Sequence, residues 1–521
     1  MKKQQMTVQP LGVITGASST KAKQWQDISW SEIEANVRRL QMRIAKAERS
    51  NKHNKVKSLQ WLLTHSMEAK LLAVKRVTAS KGAKTSGVDG KLCTSGRDKM
   101  QLVLSLKQRG YRALPLKRVY IPKKNGDKRP LGIPTMRDRA MQALYLLALE
   151  PVAEMRADPN SYGFRPCRST ADAEERCFKT LANKGSAQWI LEGDIKACFD
   201  KISHDWLLNN IPIEKRMLKQ WLGAGYLEKQ TLYPTPEGTP QGGVISPVLA
   251  NMALDGLEAV VANAAKVAKV HKGHTVRYAD DFVCMAASKE ALEDHIKPAI
   301  INFLKDRGLE LSAEKTKISN VFDGFDFLGF NIRKYKKVGK LLVTPAKKSV
   351  HRFLAEIRAL FKANRMAKTE VLIGKLNPKI LGWANYYRHV VAKTTFGYVD
   401  DCIYQSVSRW TARRHQNKNF DWIRKKYFRS QGLRNWIFYG TKVDRHGKKE
   451  FFDLQKASRI PILRYTKIRQ EATPYDPAFD RYFMMRKQTR TVNKLYRYWM
   501  ISNLGLLSER HWVPSNTARL V

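Results

Sequence analysis

An α+β fold is predicted by three observations. Strand-like alternation recurs in short segments between residues 117 and 344. Helical stretches separate those segments without the regular strand–helix alternation of a parallel sheet. From Ser349 onward the apolar pattern becomes helical. With 521 residues and 43% hydrophobic content, the chain is long enough for a buried core and for more than one domain.

Residues 29–75 read as helical and basic. Ser31 and Glu34 have capping-box spacing, and Ile33, Val37, Leu40 and Ile44 fall on one face. A second helical run carries Val56, Leu59, Leu63 and Met67, and residues 82–90 (GAKTSGVDG) form a glycine-rich connector. Residues 117–134 predict a β-hairpin turning at Asn125-Gly126. A helix over 138–150 puts Met141, Leu144, Tyr145 and Ala148 on one face, with Pro151 marking its end. A strand at 188–194, a Gly/Pro loop at 238–247 and a helix from 248 follow. Next come a hairpin at 275–286, a mixed stretch to 320 and a strand pair within 325–344. Val350, Phe353, Leu354, Ile357, Leu360 and Phe361 then share a helical face.

Lys and Arg total 95 against 46 Asp and Glu, a formal net charge of +49. A compact body so charged repels itself unless a polyanion is near. The basic residues are spread along the chain, which suits a phosphate backbone bound through many dispersed contacts. A membrane surface would call instead for one basic amphipathic helix. No apolar run approaches the roughly 20 residues needed to span a bilayer, and the N-terminus has no secretory h-region. A cytoplasmic protein without a membrane partner is expected. Cys93, Cys167, Cys177, Cys198, Cys284 and Cys402 form no C-x-x-C pair, so no zinc site is expected.

The sharpest local feature is Tyr278-Ala279-Asp280-Asp281, two adjacent carboxylates between apolar strands. Carboxylates there cost desolvation unless a cation neutralises them. The second feature is an apolar strand, Gln188 to Gly193, ending in Asp194. Strand-end carboxylates brought together by a sheet make a divalent-metal site suited to magnesium, which prefers oxygen ligands and keeps positions for water and phosphates. Two such ions would activate a primer 3′-oxygen and stabilise leaving pyrophosphate.

Tyr278 to Asp281, preceded by Asp194-Ile195-Lys196-Ala197-Cys198-Phe199-Asp200, resembles the palm of reverse transcriptases. Further motifs agree in order: Arg129 to Thr135 (RPLGIPT), Ser161 to Pro166 (SYGFRP), Gly238 to Gly243 (GTPQGG), Ser312 to Thr316 (SAEKT) and Phe327 to Phe330 (FLGF). The resemblance implies Asp194, Asp280 and Asp281 as catalytic residues. Together with the Ile195 carbonyl they would hold two Mg2+ ions. It implies dNTP binding by Lys123, Arg129, Phe199, Gln241 and Lys315. Phe199 would be the steric gate against a 2′-hydroxyl, and Lys315 would sit near the pyrophosphate. Gly242 and Gly243 would let backbone approach a base pair closely.

The finer match, from about residue 20 to 490, is to group II intron reverse transcriptase/maturases. Gln60 to Ser66 (QWLLTHS) and Thr85 to Gly90 (TSGVDG) resemble that family's N-terminal extension. Gly382 to Tyr387 (GWANYY) resembles its thumb. Residues 410–430 hold seven Lys/Arg against Asp421, interleaved with aromatics. Arg413, Arg414, Lys418, Lys425 and Lys426 are expected to bind RNA, with phosphates held by the cations and unpaired bases stacked on the rings. His415 has no companion at metal spacing. Residues 481–500 hold six Lys/Arg and no acid, and read as a DNA-binding tail.

The expected architecture is therefore a right-hand polymerase. It comprises an N-terminal extension (1–80), fingers and palm (81–340), helical thumb and maturase region (341–435), and a basic C-terminal DNA-binding region (436–521). Both extensions are expected to be mainly helical. With no Cys after residue 402, no HNH endonuclease is expected. The implied partners are group II intron RNA, an RNA template with primer, dNTPs and a DNA target. A domesticated or defence-associated reverse transcriptase is one alternative. An RNA-binding splicing factor with a vestigial polymerase is the other.

Overall fold

In a computed structural model, residues 25–122, 128–270, 273–432, 434–443 and 447–488 are described. Helices α1 (Trp30–Arg49), α2 (His53–His65), α3 (Met67–Thr78) and α4 (Gly96–Ser105) pack around the long α5 (Met136–Arg156). The capping-box expectation for Ser31 fails. Ser29 is the N-cap, Ser31 lies inside α1, and Glu34 reaches Lys75 Nζ at 2.8 Å. Trp30 starts the helix two residues earlier than a Ser31 cap would, its ring packing on Trp25 and under Lys75. The second run is also not one helix. Ser66, in extended backbone, ends α2 and caps α3 by accepting from the Ala69 N–H. Met67 therefore opens a new helix and is exposed.

Pro151 does not end α5; the helix continues to Arg156. A helical proline leaves the carbonyl four residues before it without its usual donor. Here that carbonyl belongs to Leu147, and the buried Gln41 side chain of α1 donates to it at 2.7 Å. Gln60 of α2 donates to the next carbonyl, Ala148, at 3.2 Å. Gln41 thus supplies the bond that the proline removes, and Gln60 ties α2 to the adjacent turn.

The first sheet has the order β2-β1-β4-β5, with β1 (Leu116–Pro122), β2 (Lys128–Ile133), β4 (Tyr226–Glu228) and β5 (Thr231–Tyr233). The β1–β2 ladder runs from Lys117↔Ile133 to Pro122↔Lys128, as a hairpin over 117–134 requires. Lys123 and the Asn125-Gly126 turn lie outside the described residues. Arg139 binds the glycine-rich connector to the hairpin base, donating to the carbonyls of Pro134, Gly82 and Thr85 at 2.8, 2.9 and 2.6 Å.

The central sheet has the order β6-β7-β3-β8, with β3 (Trp189–Asp194), β6 (His274–Tyr278), β7 (Asp281–Ala286) and β8 (Lys317–Asn320). Its two faces feed different cores. Leu191, Phe282 and Cys284 pack with α5 and the other N-terminal elements, whereas Ile190, Val283 and Met285 pack with the C-terminal half. Burial on both sides makes these strands continuous apolar runs, where a sheet with one wet face would alternate. Helices α6 (Thr170–Leu181), α7 (Cys198–Lys201), α8 (His204–Asn210), α9 (Lys215–Leu222), α10 (Ser246–Leu254), α11 (Leu257–Val267) and α12 (Lys297–Lys305) complete this half. The segment Ser246–Val267 is apolar and long enough to cross a bilayer, but it breaks at Asp255-Gly256 and packs largely into the core.

The expected strand pair at 325–344 is three strands: β9 (Phe325–Phe327), β10 (Phe330–Tyr335) and β11 (Lys340–Pro345). Helices α13 (Lys347–Ala363), α14 (Thr369–Tyr387), α15 (Lys393–Arg414) and α16 (Phe420–Tyr427) follow. Beyond them the chain departs from helix. Strands β12 (Phe428–Gln431), β13 (Arg434–Val443) and β14 (Lys449–Asp453) form an antiparallel sheet packed on α14. A domain boundary at 435/436 would cut through β13. Most of 454–479 then runs without regular secondary structure back across the molecule to α1, where Arg38 pairs with Asp480 and Arg49 with Asp476.

Gln41→Ala should lower stability by about 1–3 kcal/mol, the cost of leaving a buried carbonyl unbonded. In a Pro151→Ala background, which restores the missing N–H, the loss should shrink. Urea unfolding of the four proteins measures both.

Candidate active site

Asp194 at the end of β3 stands directly opposite Asp281 at the start of β7. Asp280 occupies the tight turn before Asp281, with Tyr278↔Asp281 closing the β6–β7 hairpin. Adjacent strands in a sheet lie about 5 Å apart, so the register alone brings the predicted carboxylates together.

The turn is held from behind. Ala279 has φ +60°, a left-handed conformation that is costly for a residue with a Cβ. The buried Arg277 reaches its carbonyl at 3.4 Å, bonds Asn251 Oδ1 at 3.2 Å and pairs with Asp255. Burial pushes the Asp255 carboxyl up to about 7, against the pull of the Arg277 charge. Gly163 lies against the turn so closely that a Cβ there would be 2.3 Å from the Ala279 nitrogen. The Asn251 amide donates to the Gly163 carbonyl at 2.7 Å.

Burial raises both Asp280 and Asp281; the charge of Asp194 adds to each, and that of Asp280 adds further at Asp281, bringing Asp281 to about 6. Asp281 keeps surface open to the cleft yet sits deep among protein atoms. Lys315 is the cation on the site. Its Nζ meets Asp194 Oδ2 at 2.7 Å, and that bond raises its own pKa. It is brought there because the Ser312 N–H bonds the Asp194 carbonyl at 2.8 Å, fixing the start of its loop.

This donor set fits a divalent cation. Oxygen ligands crowd together, with Lys315 offsetting one carboxylate charge at Asp194, and the Ile195 carbonyl accepts no hydrogen bond from the described residues. Among those residues no group of three His, Cys, Asp or Glu side chains encloses a metal by itself. That is consistent with a hard cation whose shell is completed by water and phosphate.

Arg129 of β2 donates from Nε to Gln241 Oε1 at 2.7 Å, and Gln241 donates to Asp200 Oδ2 at 2.6 Å. Three polar side chains thus bridge the β1–β2 hairpin to α7, and Arg129 lowers the pKa of Asp280 through its charge. Gly242 has φ +125°, and a Cβ on it would strike the Gly132 carbonyl at 2.7 Å. Its backbone approach is therefore to the hairpin. Phe199 is half-buried, with Phe164 edge-on at 6.2 Å. Phe164 is half exposed at φ +58°. Asp200, Arg277 and Phe164 were missed as site residues by sequence reasoning. Asp200 and Phe164 stand inside recognised motifs but were assigned no role, and Arg277 reads as an ordinary strand residue.

The expected RNA contacts divide. Arg413, Lys418, Lys425 and Lys426 are exposed. Arg414 is partly engaged, donating to the Ala367 carbonyl at 2.6 Å and lying over Trp410. Trp410 is buried and serves the core, while Lys426 and Lys418 lie over Trp422 at 4.6 and 5.7 Å. His415 is bonded to the Tyr427 hydroxyl at 2.7 Å.

Residues 121–332 match the family described as reverse transcriptase (RNA-dependent DNA polymerase). Residues 25–106 match the N-terminal domain of reverse transcriptase, and residues 350–428 match the group II intron, maturase-specific domain. Protein YkfC of Escherichia coli (strain K12) is 35% identical, with 57% of this chain and 90% of that protein covered. The chain belongs to the reverse transcriptases of the group II intron maturase type. Another relative, the group II intron-encoded protein LtrA of Lactococcus lactis subsp. cremoris, is 33% identical over 50% of this chain. A 91 kDa protein in the cob intron of Schizosaccharomyces pombe is 28% identical over 68%. The chain spans about half the length of those two relatives (54% and 52%). The sequence-based expectation reads the hairpin sheet as fingers, the central sheet as palm and the helices from α13 as thumb and maturase region; the match to the maturase-specific domain runs from α13 through α16.

Gly163→Ala should cut primer extension on the order of a hundredfold, the scale expected when reacting groups shift by about 1 Å. The thermal midpoint should fall as well, because the added Cβ meets backbone and not a flexible side chain. Single-turnover kinetics beside a melting curve check both.

Proposed function

We propose that this chain copies RNA into DNA at Asp194, Asp280 and Asp281 with two magnesium ions. We propose also that it holds a group II intron RNA in its splicing-competent fold, the RNA itself carrying out the splicing chemistry. The observation that carries the polymerase reading is the meeting of three carboxylates at one end of the palm sheet, in a field that a cation relieves. Magnesium held by these carboxylates and the Ile195 carbonyl would acidify a primer 3′-hydroxyl and neutralise phosphate charge.

The chain's own groups do the rest. Arg129, exposed at the end of β2, pairs with a triphosphate oxygen, the role the family resemblance also gives to Lys123. Gln241 holds Arg129 in place until the nucleotide arrives. Lys315 pairs with Asp194 and, two-thirds exposed, is free to turn toward the pyrophosphate. The Phe199 ring, backed by Phe164, packs against the sugar where a 2′-hydroxyl would lie.

The RNA-holding role is supported by a groove of about 900 Å3 between α13 and α15. Arg358, Lys362, Arg365, Arg409 and Arg413 line it, and no carboxylate does. Phosphates suit such a surface, and the exposed Lys418, Lys425 and Lys426 extend it. A DNA target is the remaining partner of this reading, and the basic residues after 488 lie outside the described ones. The six free cysteines fit a reducing cytoplasm.

Asp280→Asn should abolish primer extension on an RNA template while leaving RNA affinity within about twofold, because an amide carries no charge for the metals and no basic contact is lost. Substantial dNTP incorporation by the pure mutant would refute the assignment.

Phe199→Val should raise ribonucleotide over deoxyribonucleotide incorporation. Phe164→Ala should do so more weakly, since it removes only the ring behind the gate. Single-nucleotide kinetics give both ratios, and unchanged discrimination in Phe199→Val would return that ring to the core.

A further inference from the structure

Residues 460–476 hold no α-helix or strand, yet Ile468, Ala472, Thr473 and Tyr475 are buried. A buried segment without a ladder needs a partner for each backbone group it takes from water. Here the partners come from the palm. The Ile468 N–H donates to Asp172 Oδ1 at 2.7 Å, and the Gln470 carbonyl accepts from Arg168 at 3.0 Å. The backbone on either side of Gln470 is thereby fixed, and its side chain donates from Nε2 to the buried Asn160 Oδ1 at 2.6 Å.

Asn160 is held at every polar atom. Its Nδ2 and its backbone N–H both donate to Glu258. Its carbonyl accepts from the Arg277 N–H at 3.0 Å, and the Arg277 carbonyl accepts from the Tyr162 N–H at 2.9 Å. Residues 160–162 thus lie along β6, the edge strand of the central sheet, with Ser161 paired to Arg277. From there the Arg277 guanidinium reaches the Ala279 carbonyl at 3.4 Å, inside the turn that presents Asp280. One unbroken series of bonds therefore joins Gln470 to the catalytic turn.

Building on the polymerase reading of Asp194, Asp280 and Asp281, we propose that Gln470 is a positioning residue for the catalytic turn. Through Asn160 it sets where Arg277 stands against the Ala279 carbonyl, and so where Asp280 stands toward a metal ion. Residues 460–476 are then a working part of the polymerase, although they fall in the region expected from sequence to bind DNA. Contacts that only anchored a DNA-binding region could fall anywhere on the palm. These fall on Arg168, Asp172 and Asn160, on either side of the strand-like segment that pairs with Arg277.

The test compares the full chain with Gln470→Ala, Asn160→Ala, the double variant and Tyr475→Phe, in single-turnover primer extension over a Mg2+ series. Tyr475→Phe is the control for stability alone, since it removes the bond to Glu150 from the same segment and leaves Asn160 untouched. Gln470→Ala should lower the maximal rate about tenfold, less than the roughly hundredfold of a 1 Å misplacement. The Mg2+ concentration for half-maximal rate should rise roughly threefold, below the about 10–100-fold seen when a direct partner of a metal ligand is lost. The KM for dNTP should stay within about twofold, because no nucleotide contact is removed. Tyr475→Phe should lower the melting temperature and keep the parent's rate and Mg2+ demand. The double variant should lose no more than Asn160→Ala, because both act on one series of bonds. Four results would each overturn the proposal: a Gln470→Ala rate within about twofold of the parent, a rate loss with unchanged Mg2+ demand, an equal rate loss in Tyr475→Phe, or losses that add in the double variant. A parent chain that extends no primer would remove the polymerase reading and this role together, whereas any of the four in an active parent removes the role of Gln470 alone.

Discussion

The molecule depends on one electrostatic constraint: three carboxylates must stay close together at the end of a sheet that is buried on both faces. Left to themselves they would separate or take up protons, since burial and mutual repulsion both oppose ionisation. The fold prevents the first through register. Asp194 and Asp281 are directly opposed residues of a ladder running from Trp189↔Ala286, and sliding it by one residue would send every side chain into the core on the opposite face. Two separate apolar cores grip that ladder, one on each side.

A frame of buried polar groups supports the same end of the sheet. Arg277 and Asp255 form an ion pair beneath the β6–β7 turn. Arg165 lies beside it in a fork on Glu154, with Nε and Nη2 at 2.8 and 2.9 Å from the two carboxylate oxygens. Such pairs add little net stability over apolar packing, but removing one partner strands a buried charge. Their value here is directional, because they fix a strained turn from which Asp280 projects.

The C-terminal segment carries the restraint further. Asp172, wholly buried in α6, accepts from the Ile468 N–H at 2.7 Å and from Arg486 at 3.1 Å. Gln470 donates to Asn160 beside the palm at 2.6 Å, and the Tyr475 hydroxyl donates to the half-buried Glu150 of α5. The chain thus returns from the β12–β14 sheet across palm and N-terminal helices, joining ends that are remote in sequence. A division into consecutive blocks understates this coupling: residues 460–486 belong mechanically to the palm and to α1.

The sequence by itself determined the palm, the carboxylates and the family, because those rest on short-range patterns. An apolar strand ending in Asp194, a hairpin turning at Ala279-Asp280 and an ordered series of motifs are all legible in single segments. It did not determine where α5 ends, since the Leu147 carbonyl freed by Pro151 is satisfied by Gln41 from more than a hundred residues upstream. Nor did it reveal the β12–β14 sheet. Trp436 to Tyr439 carry strand-forming side chains, but among so many cations they read equally well as an RNA surface. Arg414, expected as an RNA contact, gives part of its guanidinium to the Ala367 carbonyl, a bond no local pattern announces. Gln241, Asp200 and Arg129 form a bridge only because fingers and palm meet there. Local patterns record what a segment can bury or bond within itself. Which donor satisfies which distant acceptor is decided only when the chain closes on itself, and that is where tertiary structure chose the frame around a site the sequence had already spelled out.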